Sequence, residues 1–292
     1  MKKHLMISLK GGPVAQILQT FCHQWHQRYQ DLYGKSVGLG VLRIGEDPSS
    51  SVYIAHKQRM AERLGYAFYA HSFSTSTPQE EVLQAIASWS KRADIHGMIL
   101  QLPIPVPHCA ATYLAALPPH KDVDGLSPAA LFTPCTPLGC LFLLQAYKIP
   151  LRGAHALIVG RSALVGRPLG LLLLDQDATV TFTHSHTPDL ASLTRTADLL
   201  CVCAGIPHLI TLDHVRAQTT ILDIGIHRTS EKTLTGDVSP DVFGHIHALS
   251  PVPGGVGPMT VMGLMLNTLR AAFLAENALL PLEPLMDALR AF

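Results

Sequence analysis

The sequence predicts an α/β protein built as two halves, each a mainly parallel sheet covered by helices. Three observations carry this expectation. Strand-like and helix-like segments alternate along the chain, the alternation breaks and restarts near residue 137, and the second half contains a strand–glycine turn–helix unit. Alternating βαβα order leaves crossover helices on the faces of a parallel sheet. The 292 residues are 48% hydrophobic and 15% charged, and the mean hydropathy is +0.25. That much apolar material fills a sizeable core and excludes global disorder, and the length suits two domains at roughly 100–200 residues each.

The first series runs as follows. Val37–Gly45 is apolar and ends in glycine, so it reads as a strand. Ser49–Gly65 reads as a helix with a serine-rich start that can cap and a glycine that can stop it. Tyr66–Ser74 is aromatic and alternating, a strand; Pro78–Trp89 is a helix; Ile95–Leu102 is a strand running into the proline-rich segment Pro103–His108. The second series starts with a helix over Pro137–Tyr147. It continues with strand His155–Val159, helix Leu164–Leu174, strand Thr179–His184, helix Leu190–Thr196 and strand Leu199–Ala204. Helix Leu212–Ala217 and strand Thr220–Ile226 follow; after a Gly/Pro-rich loop, Met259–Glu276 is a long final helix. The apolar tail Leu279–Phe292 is expected to pack back on the body.

Composition excludes several classes of function. A formal net charge of +1 leaves no basic excess to neutralise phosphates, so no nucleic-acid partner is expected. No uninterrupted apolar run reaches the ~18 residues that a membrane helix needs. Lys10 cuts short the apolar stretch after Met1-Lys2-Lys3, and no small-residue cleavage site follows, so neither membrane nor signal peptide is expected. The cysteines Cys22, Cys109, Cys135, Cys140, Cys201 and Cys203 form no Cys-x-x-Cys pair, which makes a reduced, cytoplasmic protein the default. His184/His186 and His245/His247 have i, i+2 spacing, but no third ligand accompanies either pair, so they read as scattered polar histidines and no metal is expected.

In the second half, Leu157–Pro168 is a strand, a glycine turn at Gly160 and Gly166, and a helix. Glycines let a backbone approach a pyrophosphate, and the helix start offers free N–H donors. The spacing departs from Gly-x-Gly-x-x-Gly, so the segment alone also reads as an ordinary βα turn. The next strand ends Thr183-His184-Ser185-His186 with no carboxylate for a ribose 2′-OH, while Arg161 sits in the glycine turn. A guanidinium and a serine suit a 2′-phosphate, favouring NADP over NAD.

In the first half, Tyr53 and Lys57 lie four apart and share a helix face. Exposed lysines are common there, but a lysine shielded from water can exchange protons near neutral pH. Gln101 ends an apolar strand, where α/β enzymes place ligand contacts. Lys121-Asp122-Val123-Asp124-Gly125 sets two carboxylates beside a glycine turn, either as turn chemistry or to hold a polar heterocycle.

Taken together, these motifs resemble the bifunctional methylenetetrahydrofolate dehydrogenase/cyclohydrolases. The matching segments are Ser51-Val52-Tyr53 through Lys57, Leu100-Gln101-Leu102-Pro103, Lys121–Gly125 and Pro134-Cys135-Thr136-Pro137. They continue with Val159-Gly160-Arg161-Ser162, Val165–Pro168, Ala178–Thr181, His184-Ser185 with Thr187, Gly236-Asp237-Val238 and Pro251–Thr260. The likeness spans roughly residues 37–275.

The resemblance implies two α/β domains with a cleft between them, the second a Rossmann-like parallel sheet. The division expected is 1–137 with the C-terminal 270–292 for folate, and 138–269 for NADP. It implies oxidation of 5,10-methylenetetrahydrofolate with NADP⁺, then hydrolysis of the methenyl product to 10-formyltetrahydrofolate, a step of one-carbon metabolism that serves purine biosynthesis. By that likeness Lys57 is the acid/base residue, Tyr53 stacks on or orients the folate, Gln101 tunes Lys57 and Asp124 binds the pterin. Pro253, Gly254, Gly255 and Pro258 border the substrate. Gly160, Arg161, Ser162, Val165, Ser185 and Ile226 hold the cofactor, with Arg161 and Ser185 facing the 2′-phosphate. The resemblance further implies a homodimer formed through the Rossmann-like domains.

This chain departs from the family pattern between Gly125 and Pro134. Only eight residues, Leu126–Thr133, lie there, without the Asn-x-Gly step of a longer family segment. Read from residues alone, an NADP-dependent dehydrogenase on another substrate and a non-catalytic folate- or nucleotide-binding protein stay open.

Overall fold

The computed structural model describes residues 6–229 and 233–292; Met1-Lys2-Lys3 lie outside them. By contacts the chain divides into two compact units. One comprises Met1–Gln16, Thr136–Thr260 and Asp287–Phe292, the other Ile17–Cys135 and Val261–Met286.

The chain opens with β1 (Ile7–Ser8) and α1 (Gly11–Tyr33). The smaller unit then forms β2 (Gly38–Ile44), α2 (Pro48–Leu64), β3 (Ala67–Phe73), α3 (Gln79–Ser90), β4 (Gly97–Leu100) and α4 (Ala110–Ala116). Its three parallel strands run in the order β3-β2-β4. β2 is central and almost wholly buried, which is why it reads as a continuous apolar run. Leu42, Ile44, Val82, Ile86, Met98 and Tyr113 belong to the core over this sheet. α2 is delimited as its sequence suggests. The Asp47 carboxylate accepts from the Ser50 N–H at 2.8 Å, Pro48 takes the first turn, and Gly65 closes the helix at φ 80°.

The larger unit contains β5 (His155–Val159), α6 (Gly166–Leu174), β6 (Thr179–Thr183), α7 (Leu190–Thr194), β7 (Leu199–Val202) and β8 (Thr220–Asp223). The helix α5 (Cys135–Ala146) leads into it; β9 (His227–Arg228), β10 (Leu234–Thr235) and β11 (Ala248–Leu249) follow β8, and α8 (Val256–Ala275) and α9 (Glu283–Arg290) close the chain. Six strands pair in the order β1-β11-β8-β7-β5-β6, all parallel, while β9 and β10 form a separate antiparallel pair.

Several elements differ from the sequence reading. The 23-residue α1 was not expected, and β1 and β11 are two-residue strands too short for a periodicity to show. Ile7 and Ser8 pair with Ala248 and Leu249, so residues 6–16 group with the six-stranded unit. The expected helix Leu212–Ala217 is a single 3₁₀ turn, Leu212–His214. α8 begins at Val256, three residues before the expected Met259, with Pro258 in its first turn, where its missing N–H costs nothing. In length and composition α8 is apolar enough to span a bilayer, yet 67% of its apolar window is buried, the packing of a core helix. In the tail, Leu285 and Leu289 are fully buried and Phe292 packs edge-on against Tyr147.

Candidate active site

In the smaller unit, α2 and the end of β4 bring the predicted residues together. Ser50, Tyr53 and Lys57 follow one another along α2 at i, i+3, i+7. Ser50 is buried and reaches the Leu102 carbonyl, and the Lys57 ammonium donates to Gln101 Oε1 at 2.9 Å. Gln101 is only 8% exposed. Its backbone N–H extends the β2–β4 pairing to Leu42, and its side-chain Nε2 donates to the Leu102 carbonyl at 2.7 Å. The amide is thus held with its oxygen toward Lys57. Tyr53 is 46% exposed, a ring free to meet a planar ligand.

The two carboxylates after Lys121 have separate roles. Residues Lys121–Val123 run beside the edge of β4, the Met98 N–H bonding the Lys121 carbonyl at 2.6 Å. The Asp122 side chain is fully buried and accepts from the Gly125 and Ser127 N–H groups at 3.1 and 2.7 Å. Burial pushes its carboxyl above the usual carboxylate range. This is turn chemistry. Asp124 is half-buried. The thiol of Cys135 is pushed up by burial first and then by the Asp124 charge and hydrogen bond, while the Lys57 charge opposes that rise. Lys57 and Asp124 therefore share one electrostatic neighbourhood with Cys135, and Gln101 adjoins it through its bond to Lys57. The Cys135 and Asn267 side chains were not singled out from the sequence.

In the larger unit, the glycine turn lies at the carboxyl ends of the parallel strands. Gly160 has φ 121°, and a Cβ there would stand 2.5 Å from the Cys203 carbonyl oxygen; one on Gly166 would stand 2.3 Å from the Gly160 oxygen. Ser162 Oγ accepts from the Val165 N–H at 3.1 Å and the Gly166 N–H at 3.4 Å, holding the start of α6. Arg161 is left exposed. The neighbouring turn is tied by Gly160 N–H to the Thr183 carbonyl, and by Thr187 Oγ1 accepting from the His184 N–H. Ser185 at its tip is exposed, and Ile226 beyond β8 is 44% exposed. Residues that a Cβ would crowd, an open helix start and an exposed arginine fit a dinucleotide phosphate.

Two buried carboxylates brace the same strand ends. Asp237 accepts from the Ala204 and Gly205 N–H groups and from His227 Nε2 at 2.6 Å. Asp223 accepts from the Asp237 and Val238 N–H groups, and burial pushes its carboxyl up to about 7. The proline loop folds on Gly11, whose N–H donates to the Gly254 carbonyl at 2.8 Å. Pro253 and Gly254 are exposed, Gly255 is buried and Pro258 is half-buried within α8.

Parallel sheets that present polar side chains and a glycine turn at their carboxyl ends put the chain among the dinucleotide-dependent α/β enzymes. Comparison narrows that class. The model of the tetrahydrofolate dehydrogenase/cyclohydrolase catalytic domain matches residues 9–124, and that of the same family's NAD(P)-binding domain matches residues 134–276. The chain belongs to the tetrahydrofolate dehydrogenase/cyclohydrolase family, and it is an enzyme of that family. It is 43% identical over 256 residues to the bifunctional protein FolD of Lysinibacillus sphaericus, covering 84% of this chain and 89% of that one. It is 45% identical over 250 residues to FolD of Thermus thermophilus, covering 82% and 88%. The structure superposes on the bifunctional FolD of Campylobacter jejuni with a TM-score of 0.89 at 34% identity, covering 91% and 98%. It superposes equally, at 28% identity and 94% and 99% coverage, on Trypanosoma brucei FolD complexed with NADP cofactor and inhibitor. The two family models leave residues 125–133 unmatched, the shortened segment after Asp124.

Proposed function

We propose that the chain oxidises 5,10-methylenetetrahydrofolate with NADP⁺ and then hydrolyses the methenyl product to 10-formyltetrahydrofolate. The observation that carries this reading is the Lys57–Gln101 hydrogen bond at the end of β4, with Asp124 close by. NADP⁺ supplies the hydride acceptor, and the residues for it are Gly160, Arg161, Ser162, Val165, Ser185 and Ile226. Oxidation asks the protein mainly for positioning, because N5 and N10 of the folate stabilise the cation left when hydride departs. Tyr53 orients the folate, and Asp124 accepts from the pterin's N–H donors. Pro253, Gly254, Gly255 and Pro258 border the substrate.

Hydrolysis needs proton management. Water adds to the methenyl carbon and loses a proton; the hydroxyl so formed gives up its own proton to become the formyl oxygen as the bond from that carbon to N5 opens, and N5 takes up one proton, so that one proton is released overall. Lys57, with Gln101 fixing its ammonium, relays these protons at Nζ. We propose further that the enzyme is a cytoplasmic homodimer whose product serves purine biosynthesis, with neither nucleic acid nor membrane as a partner. Six free cysteines and a net charge of +1 suit that setting.

Absorbance during incubation with 5,10-methylenetetrahydrofolate tests the reading. NADPH forms with NADP⁺, faster than NADH with NAD⁺, and the methenyl compound decays faster than in buffer. Tight NADP binding with no NADPH formed overturns it.

A further inference from the structure

Asn267 sits in the middle of α8 with no exposed surface. A buried amide is costly unless both its donors and its acceptor are used. Here they are. Nδ2 donates to the Val123 carbonyl at 3.0 Å and to the Thr133 carbonyl at 2.9 Å, and Oδ1 accepts from Arg270 Nη1 at 3.3 Å. The Arg270 guanidinium lies over the Phe132 ring at 5.5 Å. These residues fasten both ends of the segment Leu126–Thr133, the part of the chain that departs from the family pattern. Its incoming end is also held by Asp122, which accepts from the Gly125 and Ser127 N–H groups. The Cys135 thiol adds a second donor to the Val123 carbonyl at 3.2 Å. Asp124 lies between these fastenings, bonded covalently to Val123 on one side and to Gly125 on the other.

We propose that Asn267 is a positioning residue for the folate half of the reaction. By bridging the Val123 and Thr133 carbonyls it fixes the direction in which Asp124 presents its carboxylate, and the short segment keeps a substrate-competent geometry because Asn267 closes it. This inference rests on the reading that Asp124 holds the pterin.

Steady-state kinetics on Asn267→Leu, Asp124→Ala and the double variant test it. Asn267→Leu raises KM for 5,10-methylenetetrahydrofolate roughly tenfold, with KM for NADP⁺ and kcat at saturating folate retained. The double variant behaves as Asp124→Ala alone, because Asn267 acts through Asp124. Asn267→Ser, which keeps one donor, recovers part of the loss; if the leucine variant does not fold, the serine variant carries the same comparison. A fall in kcat with folate KM unchanged assigns Asn267 a merely structural role and overturns the proposal. So does a double variant whose effect is the product of the two single effects. If Asp124→Ala itself leaves folate KM unchanged, the pterin assignment fails, and this inference fails with it.

Discussion

Gln101 uses its two amide atoms in opposite directions: Nε2 donates to the Leu102 carbonyl at 2.7 Å, and Oε1 accepts the Lys57 ammonium at 2.9 Å. Because the nitrogen is already engaged, the oxygen is the atom offered to Lys57. The lysine is thus held at a defined place above the end of β4 rather than sweeping through solvent. Replacing it by methionine preserves the length and apolar stem but removes the only titrating atom. Lys57→Met is expected to slow methenyl hydrolysis by at least ~10²-fold, the usual scale of a lost acid/base group. NADP binding, followed by fluorescence titration, stays intact. Hydrolysis at the native rate would remove Lys57 from the mechanism.

Asp122 and Asp124 are two residues apart, yet the expected consequences of losing each differ. Asp122→Ala leaves the Ser127 N–H without its acceptor and the Gly125 N–H with only the backbone carbonyl of residue 122 at 3.3 Å, at a cost of about 1–3 kcal/mol. Its Tm falls, and any activity change follows the folded fraction. Asp124→Ala is expected to keep its Tm and raise folate KM. Thermal melts beside kinetics on the two variants separate the roles, and equal melting losses would contradict the division.

That division shows what the sequence could and could not reveal. The Lys-Asp-Val-Asp-Gly run made both carboxylates candidates, but only the backbone path shows which one turns inward. Long elements with regular patterning, such as β2, α2 and β5, were legible because local chemistry and burial agree in them. The strands β1 and β11 were not, since two residues carry no periodicity and their pairing joins positions 7 and 248. The turn at Leu212–His214 imitates a helix start because His214 closes a capping box with Thr211, though the chain then leaves the helix. The bracing by Asn267 was hidden for the same reason as that by Asp237: each acts on backbone groups far away in sequence.

Arg161 follows Gly160 in the turn and is left exposed while Ser162 is occupied holding α6. Its guanidinium is therefore available to a 2′-phosphate and has no comparable partner on a 2′-hydroxyl. Arg161→Ala is expected to weaken NADP⁺ by roughly tenfold or more while barely changing NAD⁺. Dissociation constants for the two cofactors in wild type and variant provide the check. Equal losses would mean that Arg161 contributes to the turn rather than to reading the phosphate.

The carboxyl of Asp223 gives the larger unit a pH-dependent stability. Burial raises it from 3.8 to about 7, outweighing the two backbone N–H groups that favour its charged form and the His227 charge that does the same. An unfolded chain releases this proton near the ordinary value, so between the two values the folded state binds more protons than the unfolded one. The contribution of Asp223 is therefore complete below 3.8 and is lost as pH rises through about 7. Asp223→Asn has no such proton to lose. It gives up one acceptor and so starts from lower stability at acid pH, but its stability falls less across the same interval. Denaturant unfolding of both proteins at a series of pH values across that interval measures the difference. If the stability difference between wild type and the asparagine variant stays constant across the interval, the buried carboxyl ionises at its ordinary value, and if the wild type gains on the variant as pH rises, the network of Asp223, Asp237 and His227 favours its charged form; either result contradicts the raised value.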